Sequence, residues 1–161
     1  MSGLPAQSLD AEQSVLGAVL YSGNFDPVVD VGLNAEMFYM PTHSRIFAAI
    51  VALYAKGEPI DALMVAGELD RSDSADEHTI TRLYELAGLG IAEANPAHHA
   101  RIVRAMWLRR EISGVGRELV DLGDNGAESV TDLFSEIDKK DRNAHMGQLI
   151  EHALLILVRH A

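Results

Sequence analysis

Pro41-Thr42-His43-Ser44-Arg45-Ile46-Phe47-Ala48-Ala49-Ile50-Val51-Ala52-Leu53-Tyr54-Ala55-Lys56 decides the fold class. His43, Ile46, Phe47, Ile50 and Tyr54 recur at intervals of three and four, which puts them on one face of an α-helix. Pro41 opens the segment, at a helix start where proline is tolerated. The apolar run from Ile46 to Ala55 is the longest in the chain and is half of the ~20 residues that a membrane span needs.

The same period extends in both directions. Ala11, Val15, Ala18 and Val19 share one face upstream, and Ile80, Leu83, Tyr84 and Ala87 share another downstream. The five prolines fall before or at the start of such segments and interrupt none. Asp26-Pro27 and Asn95-Pro96 read as an N-cap followed by proline. Asp61 is a cap candidate after Pro59, and Asp10-x-x-Gln13 resembles a capping box. No strand-like alternation is sustained, and Asn125-Gly126 lies between two helical patterns. The chain therefore reads as all-α, with helices over 9–21, 27–33, 42–55, 61–71, 77–88, 96–122, 128–140 and 147–159.

These helices group into three parts. Residues 1–94 hold five short helices, a compact multi-helix head. Residues 95–140 form an αα-hairpin, with a turn at Gly123-Asp124-Asn125-Gly126. Residues 141–161 hold a linker and a terminal apolar helix. In the long hairpin helix, Ala105, Leu108, Ile112, Val115, Leu119 and Leu122 form a heptad-type seam. Val130, Phe134 and Ile137 face it from the shorter helix. The seam outruns that helix, so its end near Leu108 is the expected interface with another copy or a partner. Gly114 and Gly116 lie inside the long helix, where each costs roughly 1 kcal/mol against alanine; a close neighbour or a bend is expected there.

Composition narrows the chemistry. The 161 residues carry 13 Lys plus Arg against 24 Asp plus Glu, a formal net charge of −11, and mean hydropathy is near zero. The balance disfavours a large phosphate-tracking surface, and no strong direct DNA binding is expected. Cysteine is absent, which excludes disulfides and thiolate metal sites. The N-terminal residues carry no secretory pattern, so a cytoplasmic location without a membrane span is expected. The sequence Gly-Lys does not occur, so there is no P-loop, and these residues are expected to hydrolyse no ATP. Seven histidines form no His-Glu-x-x-His; the adjacent pair His98-His99 points about 100° apart on a helix, poorly placed to share a metal. His43 is expected to be a buried, hydrogen-bonded core histidine. Arg101, Arg104 and Arg109 fall near one face of the long helix and read as solvated arginines. No catalytic, cofactor-binding or metal residue is assigned.

Ser8-Leu9-Asp10-Ala11-Glu12-Gln13-Ser14-Val15-Leu16-Gly17, Phe38-Tyr39, His43, Ile46-Phe47-x-x-Ile50 and Lys56-Gly57-Glu58-Pro59-Ile60-Asp61 occur in that order. Ala94-Asn95, Ala100-Arg101-Ile102-Val103-Arg104 and Leu108-Arg109-Arg110 follow. This set resembles the N-terminal domain of the DnaB-type replicative helicase over about residues 4–140, and the final helix is similar to that family's linker helix. His99 stands where the family usually has Tyr, and Ala105 where it often has Glu. The resemblance implies a domain that pairs through its hairpins, as a dimer or a trimer of dimers within a hexamer. It implies primase and helicase-loader contact in the primosome. It places ATP and Mg in a motor beyond the linker helix. A stand-alone regulatory homologue that joins or inhibits a helicase ring is the alternative; an unrelated helical enzyme is disfavoured by the missing motifs.

Overall fold

Pro41 occupies the first turn of the central helix, where its missing N–H costs nothing. Past Lys56, Gly57 ends that helix in the left-handed conformation (φ 69°), its N–H returning to Tyr54 O. In the computed structural model, which describes residues 6–89 and 95–124, this is α3, Pro41–Lys56. It follows α1, Leu9–Ser22, and the short α2, Asp26–Val29. A 3-10 turn, Ala35–Met37, leads into α3. Then come α4, Ala62–Arg71, α5, Glu77–Gly88, and the long α6, Pro96–Asp124. Among the described residues there are no strands, and no helix is long and apolar enough to cross a membrane.

Sequence and structure differ at the second helix. The expected helix over 27–33 ends at Val29, because Gly32 takes φ 68° and turns the chain. The freed residues Val31 and Leu33 drop into the core. Asp26 is not the N-cap; it is the first residue of α2, and its carboxylate accepts from the Tyr54 hydroxyl at 2.7 Å. Asp10 likewise lies inside α1, and Ser8 makes no side-chain cap. The expected caps at Asp61 and Asn95 do form, and Asp76 adds one that was not expected; each accepts a backbone N–H three residues on at 2.7–3.1 Å.

The chain forms two units, one through Trp107 and one from Leu108 onward. In the first, α3 packs on α1, α4, α5 and the 3-10 turn. Its buried face holds Ile46, Phe47, Ile50 and Leu53. Phe47 meets Phe38 at 4.8 Å and the edge of Phe25 at 5.5 Å between ring centres, favourable tilted and T-shaped contacts. Two aromatic assignments change. Tyr54 is half out of the core, with its hydroxyl on Asp26, and Tyr84 is exposed; α5 buries Thr79, Leu83 and Leu86 instead. The head extends past the expected boundary at residue 94: the first turns of α6 pack with it, burying Ala100 and Val103.

At the end of α3, Lys56 Nζ lies 2.7 and 2.8 Å from the two carboxylate oxygens of Glu68, joining α3 to α4. The Lys56 hydrogen bonds, with Arg71 adding its charge, hold the Glu68 carboxyl below the ordinary range. A depressed carboxyl stabilises the fold above the ordinary carboxylate range, and that contribution disappears as pH falls through the lowered value. Lys56→Met should move the Glu68 midpoint upward in an NMR titration of side-chain carboxyls. An unchanged midpoint would mean that the ammonium is not the cause.

Candidate assembly interface

The candidate site is α6, and its positioning starts at its first residues. Asn95 Oδ1 accepts from His98 N at 3.1 Å, and Pro96 fills the first helical position. Ala100 and Val103 seat this end in the head, with Ala97, Ile102 and Trp107 packed partly against the same core. Arg104 donates to the carbonyl of Val31 at 2.8 Å, tying α6 to the turn after α2. This employs one arginine of the three expected to be solvated; Arg101 and Arg109 are exposed. The His98 and His99 rings sit edge to face, 5.4 Å apart. Among the described residues no three metal-ligating side chains gather.

The predicted seam continues along the helix. Ala105 and Ile112 are exposed, Ile112 at 38%, while Leu108 and Val115 are half-buried. Val120, off that seam, is also exposed. For Leu119 and Leu122 the backbone is helical, but their side chains lie outside the described residues. Val130, Phe134 and Ile137, the facing helix 128–140 and the terminal helix 147–159 lie outside them altogether. Apart from the adjacent residues and the helix's own backbone, no described atom lies within 4 Å of a Cβ placed on Gly114 or Gly116.

What holds the head that carries α6 is a buried polar chain. Glu12 on α1 is 2% exposed, and His43 on α3 is 1% exposed. Glu12 Oε2 lies 2.8 Å from His43 Nδ1 and accepts Met40 N–H at 3.4 Å; Oε1 accepts Tyr39 N–H at 2.6 Å. On the other side of the ring, Arg82 Nε on α5 donates to His43 Nε2 at 3.1 Å. A guanidinium nitrogen has only hydrogens to give, so Nε2 accepts and the ring proton sits on Nδ1, facing Glu12. Arg82 also reaches Glu85 at 2.9 Å. The chain Glu12–His43–Arg82 thus joins α1, α3 and α5 through one neutral imidazole. Glu12 also places a negative charge at the N-terminus of α3, whose own N-cap, Met40, supplies no side-chain acceptor.

His43 was legible as a buried, bonded histidine because it falls on the apolar face of its helix. Its partners were not. Glu12 sits in an acidic first turn that looks solvated, and Arg82 is one of several polar residues on α5. The available signal was spacing: Glu12 is one position past the apolar Ala11, on the inner side of α1.

Residues 4–105 match the DnaB-like helicase N terminal domain. The chain belongs to this family. The replicative DNA helicase DnaB of Mycobacterium leprae is 38% identical over 138 residues, covering 84% of this chain and 22% of that protein. The replicative DNA helicase DnaC of Bacillus subtilis is 31% identical over 137 residues, covering 84% and 30% respectively. The crystal structure of the N-terminal domain of DnaB helicase from Mycobacterium tuberculosis superposes with a TM-score of 0.73 at 36% identity, covering 82% of this chain and 95% of that one. The all-α DnaB-like architecture read from the sequence is therefore the observed one. The chain spans under a third of the length of these curated relatives.

Proposed function

We propose that these residues form the N-terminal assembly and partner-docking unit of a replicative DNA helicase. Copies pair along the α6 seam, as a dimer or a trimer of dimers within a hexamer, and the head receives primase and a helicase loader. The reading assigns this stretch no nucleotide, metal or reaction of its own. The observation that carries it is the conjunction of family membership with a long helix that leaves Ile112 open on a seam of period 3.5. An apolar stripe on a chain with 24 acidic residues is a specific liability unless another surface covers it.

Sedimentation velocity tests this. The wild-type chain should shift from monomer to dimer as concentration rises. Ile112→Asp should weaken dimers by at least tenfold and leave helical circular dichroism nearly unchanged, because the side chain already meets solvent in one copy. A wild type that stays monomeric at high concentration would contradict the reading, as would an Ile112→Asp chain that dimerises normally.

A further inference from the structure

His43 meets a charged group on each side, and the two sides answer an added proton in opposite ways. Glu12 Oε2 on α1 lies 2.8 Å from Nδ1, and Arg82 on α5 donates its Nε–H to Nε2 at 3.1 Å. In the neutral ring Nε2 is an acceptor; in the imidazolium both nitrogens are donors. A second proton therefore improves the Glu12 contact, which becomes a carboxylate–imidazolium pair. The same proton sets an N–H against the Arg82 N–H and one positive charge against another. The Arg82 hydrogen bond is incompatible with it.

Arg82 has an alternative partner. Its side chain is 25% exposed, and its Nη1 already meets the exposed Glu85 carboxylate at 2.9 Å. Glu12 has none, because it is buried and also accepts the N–H groups of Tyr39 and Met40. The other charged groups on the elements packed against α3 are placed elsewhere. On α5, Asp76 pairs with Arg45 and caps Thr79. On α4, Glu68 holds Lys56, about 20 Å along α3 from His43. Glu36 in the 3-10 turn is exposed. Asp10 on α1 is exposed too, two residues from Glu12 and so on another side of the helix.

We infer that Glu12, His43 and Arg82 form a proton-operated latch. Protonation of His43 releases α5 from α3 at this point and leaves α1 tied to α3. The release is local, since the buried Leu83 and Leu86 still seat α5 in the core. The latch goes beyond the proposed assembly role and uses no residue of α6.

The test is NMR on the isotope-labelled 161-residue chain between about pH 8 and about pH 5, a range that brackets histidine titration. The imidazole nitrogens report which ring position carries a proton, and the Arg82 Nε–H reports its hydrogen bond. At the upper end, His43 Nδ1 should be protonated and Nε2 bare. As Nε2 gains its proton, the protected Arg82 Nε–H signal should vanish with the same midpoint. Amide exchange in α5 around Arg82, corrected for its intrinsic pH dependence, should then quicken roughly tenfold, while the amides around Glu12 and His43 hold. Arg82→Met keeps the stem and removes the donor. Its α5 amides should exchange at the faster rate already at the upper pH, with no step when His43 titrates. Four results would overturn the latch: a proton on Nε2 at the upper pH, an α5 that ignores the His43 step, simultaneous opening of α1, α3 and α5, or a step that persists in Arg82→Met. A His43 that stays neutral until the whole chain unfolds in acid would overturn it as well.

Discussion

Glu12→Ala should destabilise the head by about 3–5 kcal/mol, the usual cost of removing one partner from a buried charged network. The change leaves the His43 Nδ1–H and the N–H groups of Tyr39 and Met40 without the carboxylate that now accepts all three. At 2% exposure, water cannot replace it without opening α1 from α3. At ~2–4 °C per kcal/mol for a chain of this size, the midpoint should fall by roughly 10 °C in a thermal melt. Glu12→Gln should restore only part, because one of the two acceptor atoms becomes a donor facing other donors. A loss under about 1 kcal/mol for Glu12→Ala would mean that the three helices are held by apolar packing alone.

Phe47→Ala should cost a similar 3–5 kcal/mol by a different route. The ring is fully buried between Phe25 and Phe38, and its loss leaves a cavity those two rings cannot both fill. Phe47→Leu should cost far less, since it keeps most of the volume. Urea unfolding of both variants, with the slope unchanged, checks this. Equal losses for the two would show that the aromatic contact geometry, not the volume, carries the energy.

Much of this architecture was legible from periodicity, because most of the helices bury one stripe each. His43, Ile46, Phe47 and Ile50 all lie on the buried face of α3. Reading failed where a contact between distant residues overrides local pattern. Tyr54 and Tyr84 have helical spacing, yet aromatic side chains with a polar tip can end half outside the core. The second helix stops at Val29, short of the apolar Val31 and Leu33, because Gly32 between them takes a positive φ and breaks the backbone. Arg82 gave no warning, and Glu12 only its place beside the apolar Ala11, since a charged residue on a helix is solvated unless a partner far along the chain meets it. The 3, 4 repeat along α6 was legible in the sequence; pairing of copies along it is the proposal that the last experiment tests.

The most direct test of α6 as an assembly helix is an isotope-filtered NOE experiment on a mixture of labelled and unlabelled chains at dimeric concentration. The account predicts cross-copy contacts to the methyl groups of Leu108, Ile112 and Val115. Cross-copy contacts confined to the head, with none on these three residues, would contradict it.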